Sequence, residues 1–125
     1  MTDNIAYGQS LKFADSQGAV FITHLSRRHL LLTAYGVYTL PQVHFICGEC
    51  DRAISEAGQL TFYADARRAR VSSAQARERV AAYMNSHKAQ IVASHVLFSS
   101  RMASMARRAI EHDDERRLAY VRHHP

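Results

Sequence analysis

The chain has 125 residues, 47% of them hydrophobic and 22% charged, enough for one domain with its own core and ordinary for a globular protein. Its formal net charge of +5 and pI near 9.6 suit an acidic or phosphorylated partner, yet the arginines are scattered and no aromatics interleave with them, so nucleic acid is not expected. No stretch approaches the ~20 apolar residues of a membrane span. The opening MTDNIAYGQS is polar and carries no signal-peptide pattern, and two cysteines do not make a disulfide scaffold. The expected location is cytoplasmic.

In chain order, residues 1–10 read as a loose terminus and residues 11–125 as a single domain. LKFADSQGAVFITHL predicts a hairpin, with Asp15-Ser16-Gln17-Gly18 as its turn. HLLLTAYGVYT predicts a third strand covered on both faces, with Gly36 at a bulge or close backbone approach. Thr39 with Gln42 fits a capping box, and Pro41 falls in the first turn that follows. Val43, Ile46, Cys47, Cys50, Ala53, Ile54 and Ala57 recur at helical spacing, and Gly58 stands at the stop. QLTFYADA predicts the next strand, with Leu60, Phe62 and Ala64 on one face. Ser72 with Gln75 fits a second capping box, for a helix through about His87 whose inner face carries Ala76, Val80, Tyr83, Met84 and His87. SHVLFSS predicts a short interior strand, Met102, Met105, Ala106, Ala109 and Ile110 the stripe of a third helix, and LAYVRHH a final edge strand. The fold class is therefore α/β, a mixed sheet with an N-terminal hairpin and about three amphipathic helices packed on it.

Few residues offer chemistry. Cys47 and Cys50 form a CxxC with His44 one turn earlier, but both thiols fall mid-helix on the apolar face, where cysteine acts as a small hydrophobe. No second ligand pair completes a zinc site, and the eight histidines form no legible ligand set, so neither metal nor cofactor is expected. Catalytic signatures such as GxSxG, GxxxxGK[ST] or GxGxxG are absent from the sequence, and the chain is not read as an enzyme. Asp65 at a strand end stands where α/β sheets bind ligands, or simply pairs with Arg67 and Arg68. Ser72 reads first as a helix cap. A phosphate at the same place would sit at a helix N-terminus among Arg67, Arg68, Arg70, Arg77 and Arg79.

The layout resembles a STAS domain, the fold of bacterial anti-sigma-factor antagonists. LLLTAYGVYTLPQVHFICGECDRAIS resembles the strand, glycine and helix near the start of that fold. QLTFYADARRARVSSAQARERVAAYM resembles its central strand, Asp-containing loop and Ser-capped second helix. SHVLFSSRMASMARRAIE and RRLAYVRHHP resemble the next strand, third helix and closing strand, so the similarity spans roughly residues 18–125. In such antagonists a serine opening the second helix is phosphorylated by a partner kinase. The matching positions are Val71, Ser72, Ser73 and Ala74, with Val71 in place of an acidic residue and Ala74 in place of a glycine. The resemblance implies a non-catalytic regulatory protein–protein interaction module, with Ser72, Ser73 and Asp65 at its working edge. Arg67, Arg68 and Arg70 would tune that edge toward an acidic or phosphorylated, kinase-like partner. The competing expectation is a binding domain for a small anionic or lipidic ligand at the strand ends near Asp65. An exposed sheet edge would also support a homodimer.

Overall fold

A computed structural model describes residues 5–70 and 73–97. The element order is β1 (Ser10–Ala14), β2 (Gly18–Ser26), β3 (His29–Gly36), α1 (Leu40–Ala57), β4 (Leu60–Ala69), α2 (Ala74–Ser86) and β5 (Ile91–Leu97). These form one five-stranded sheet in the order β1-β2-β3-β4-β5. The first three strands pair antiparallel, and β3, β4 and β5 pair parallel through the helical crossovers. The α/β class, the mixed sheet and the opening hairpin are as the sequence reads. The expected third helix and closing strand lie outside the described residues, which hold two helices.

The hairpin turn is built by Asp15. Its Oδ1 accepts hydrogen bonds from the backbone N–H groups of Gln17 (2.9 Å) and Gly18 (3.0 Å), an Asx turn. The same carboxylate accepts from the Thr39 hydroxyl and from Gln42 Nε2, so one side chain ties the hairpin to the start of α1. This corrects the expected capping box. Thr39 is the N-cap by backbone geometry, but its hydroxyl donates to Asp15 and makes no cap bond, and Gln42 reaches Asp15 and the Val37 carbonyl. Gly36 takes φ +75° and lies opposite Gly18, where a Cβ on Gly36 would come within 2.7 Å of the Gln17 carbonyl oxygen. It is a close backbone approach, as its place in the strand suggests.

Both helices pack on one face of the sheet. Val20, Ile22, Leu30, Leu32 and Leu60 present that face, and α1 sets Val43, Ile46, Cys47, Cys50 and Ala53 against them. The α1 stripe is the one its spacing predicts, and Gly58 ends the helix at φ +80° with its N–H on the Ile54 carbonyl (2.7 Å). A polar link runs through this layer. His24 Nε2 lies 2.9 Å from Glu49 Oε1, and Arg52 Nη1 donates to the same oxygen at 3.0 Å. Tyr83 of α2 donates its hydroxyl to Asp51 of α1 (2.6 Å), joining the two helices.

The opposite face carries His29, Leu31, Thr61 and Tyr63, all buried, in register with one another. The Tyr63 ring stacks between His29 and His95, with centroids 6.2 and 5.2 Å away. Burial lowers the His29 pKa to about 4, and the neighbouring Arg28 charge adds to the effect. SHVLFSS was expected to be interior. The strand instead begins earlier, at Ile91, and among the described residues it is an edge strand.

Candidate functional site

The end of the sheet where β4 hands over to α2 is shaped by one irregularity. Thr33 pairs with Asp65 and Tyr35 with Arg68, so the single residue Ala34 faces two, Ala66 and Arg67. This bulge corrects the sequence reading. Asp65 does not follow the strand; it lies within it, and β4 continues to Ala69. The bulge re-aims the strand, as such insertions do, and divides the charged run between two environments.

Asp65 is buried and fully engaged. Arg67 grips it in a fork, Nε to Oδ1 at 2.9 Å and Nη2 to Oδ2 at 2.7 Å, and the Arg67 backbone N–H adds a bond to Oδ1 at 3.2 Å. The Arg67 hydrogen bonds hold the Asp65 carboxyl below its ordinary range, against the opposing effect of burial. A carboxylate so neutralised is a structural clasp rather than a free acid or base. Arg68 lies over the Tyr35 ring, 5.7 Å from its centroid. Arg70 differs from both. Its backbone N–H bonds the Gly36 carbonyl (2.7 Å), while its exposed side chain makes no hydrogen bond or ion pair with a described residue.

The serine pair resolves to one cap. Ser73 is the N-cap of α2, its Oγ accepting from the Ala76 backbone N–H at 3.1 Å, and its own N–H bonds the Tyr38 carbonyl at 3.3 Å. Ser72 was the expected cap; it lies outside the described residues, and the Ser72–Gln75 box gives way to a cap one residue later. Ser73 is thus held as the α2 cap, its hydroxyl oxygen turned to the Ala76 N–H.

Between the bulged end of β4 and α2 lies a groove of about 290 Å³. Leu32, Ala34, Phe62 and Ala64 line it from the sheet, and Val80 and Met84 line it from α2. Asp65, Arg70 and the exposed Val96 also border it. Tyr38, Phe62, Val80 and Met84 are shared with a second, inner cavity of about 60 Å³, whose far wall holds Cys47, Cys50 and Tyr83. The groove and this cavity thus share walls from the strand ends into the core beneath α2. No sequence motif announces the feature. The signal was the run of small residues, Ala34, Ala64, Ala66 and Ala69, at positions where a packed α/β interface usually carries larger side chains.

The CxxC is core. Both thiols are buried and free of a disulfide, and burial raises both thiol pKa values, most strongly for Cys50. His44, one turn earlier on the same helix, is exposed. Among the described residues no group of three or more His, Cys, Asp or Glu could hold a metal ion. No helix among them is long and apolar enough to cross a membrane. Comparison with known protein families, with curated proteins and with solved structures found no match.

Proposed function

We propose that this chain is a small non-catalytic regulatory module that works by binding at the β4–α2 end of its sheet. The observation that carries the reading is the groove: an apolar recess of about 290 Å³, near the lower end of ordinary ligand sites, open at the strand ends and walled by pre-formed elements. Crevices at the carboxyl ends of parallel strands are where open α/β sheets take ligands. The polar groups beside it are unsuited to catalysis, because Asp65 is spent on Arg67 and both cysteines are buried and protonated. The hairpin followed by β-α-β-α-β supports the resemblance to STAS domains and, through it, a role in regulation by a protein partner. A serine switch is the finer form of this reading: a phosphate on Ser73 would take the cap position and stand near Arg70 and Arg77 in sequence.

The test is capture from the native host's lysate with two baits, the wild type and Val96→Asp, read by mass spectrometry for proteins and small molecules. Val96 borders the groove and is 53% exposed, so the substitution charges the mouth without opening the core. The reading predicts a species retained by the wild type and lost by the variant. Equal retention by both would refute it, and phosphate on Ser72 or Ser73 in the same spectra would establish the switch.

A further inference from the structure

We propose that the groove takes a single-chain anionic amphiphile, its acyl chain directed inward under α2 and its acid group beside Arg70. The proposal rests on the binding reading above and names the ligand class for the same site.

Three observations on independent parts of the site converge. The first is shape. A groove of about 290 Å³ at the strand ends borders an inner cavity of about 60 Å³, and the two share Tyr38, Phe62, Val80 and Met84 as walls. An apolar groove of this volume, with a second small apolar cavity behind its shared walls, has room for one flexible hydrocarbon tail. The second is chemistry of the lining. Alanine at 34 and 64 leaves room on the sheet side, and Met84 on α2 is an adaptable thioether that can repack around a chain. The adjoining cavity is lined by the Cys47 and Cys50 thiols, which burial keeps protonated, so no charge there repels a tail.

The third is charge at the mouth. Among the described residues two charged side chains border the groove, Asp65 and Arg70. Asp65 is cancelled by the two-bond fork from Arg67, at 2.9 and 2.7 Å. Arg70 is exposed and makes no side-chain bond to a described residue, so its guanidinium is left to meet an anion. A planar guanidinium binds a carboxylate or a phosphate in a two-point fork. Among the described residues the balance at the mouth is therefore one positive charge beside an apolar groove, which favours an anionic head over a cationic one. Asp65, the acid that borders the groove among the described residues, is already occupied by Arg67.

The experiment uses decanoate, well below its micelle concentration, with 1-decanol and decyltrimethylammonium as matched uncharged and cationic chains. Binding to the full chain is read by thermal unfolding and by native mass spectrometry. Decanoate is expected to raise the unfolding temperature with concentration and to bind at one per chain, since a ligand of the folded state stabilises by mass action. Arg70→Gln should weaken decanoate about tenfold and leave decanol unchanged, the loss of one charge-assisted contact at an exposed rim. Val96→Asp should weaken decanoate and not decanol, and Ala64→Phe should block both. Arg68→Gln, which alters a cation on the Tyr35 ring, should match the wild type.

Equal binding of decanoate and decyltrimethylammonium, or decanoate binding unaffected by Arg70→Gln and Ala64→Phe, would overturn the proposal. So would capture on phosphatidylglycerol vesicles without any stabilisation by decanoate, which would mark a basic surface instead of a chain-binding site. Absence of decanoate binding while Val96→Asp still loses a cellular partner would sink the ligand class and leave the binding reading standing. Loss of neither would end both.

Discussion

Acidification should destabilise this protein through His29, in a window set by its burial. His29 is 1% exposed, and burial with the adjacent Arg28 lowers its pKa from 6.5 to about 4. Its Nδ1 is 2.7 Å from the Ser26 hydroxyl, while Nε2 has no hydrogen-bond partner among the described residues. A proton on Nε2 would thus place a charged, unsatisfied N–H in the interior. The native state holds His29 neutral, whereas the unfolded chain takes up a proton below pH 6.5. The contribution is therefore complete above about pH 6.5 and is lost progressively as pH falls toward 4. At pH 5 this loss is about 2 kcal/mol, from 1.36 kcal/mol per pH unit over the 1.5 units below the unfolded value. His29→Phe keeps a flat ring against Tyr63 and removes the titration. Urea unfolding followed by far-UV circular dichroism at pH 7 and pH 5 should show the wild-type midpoint falling by about 1 M more than that of the variant. Asp15 and Asp65 also have lowered values, but both carboxyls stay ionised at pH 5 and occur in both proteins. Equal shifts in the two proteins would refute the reasoning.

Other outcomes follow from single contacts. Ser73→Ala should lower stability by about 1 kcal/mol, and Ser73→Asp, an equally good N-cap, should restore it; equal losses in both would contradict the cap assignment. Cys47 and Cys50 should resist a disulfide-exchange reagent in the native state and react on unfolding, as buried protonated thiols do; fast native reaction would show that the α1–sheet layer is open. Tyr83→Phe removes the 2.6 Å bond to Asp51 and should cost about 1 kcal/mol in chemical denaturation, with no effect of a further Asp51→Asn change beyond that; additive losses would mean that the two groups do not act together.

Much of the scaffold was legible because local chemistry and long-range packing agree. Asp15 to Gly18 read as a turn and is one, since the aspartate both caps the turn and meets Thr39 and Gln42. The α1 stripe read correctly because a single apolar face met a single sheet face. The site itself was less legible. Asp65 looked like a strand end because aspartate is rare in strands; Arg67, two residues on across a bulge, is what lets it stay inside. The helix start slipped by one residue because Ser72-x-x-Gln75 and Ser73-x-x-Ala76 are both workable caps, and the choice depends on Tyr38, which anchors the Ser73 N–H from another element. His24 and His29 gave no sign of burial, since histidine is found in cores and on surfaces alike. The groove arises from what several alanines leave unfilled, and spacing rules score the side chains present instead of the volume they leave.

The most direct measurement of the binding account is a methyl-resolved NMR titration of the full chain with decanoate. The account predicts that the largest shifts gather on Ala64, Val80, Met84 and Val96, around the groove, while Val20 and Ile22 on the hairpin side of the core stay in place. Shifts scattered over the surface, or none at concentrations where Arg70 should hold a carboxylate, would contradict it.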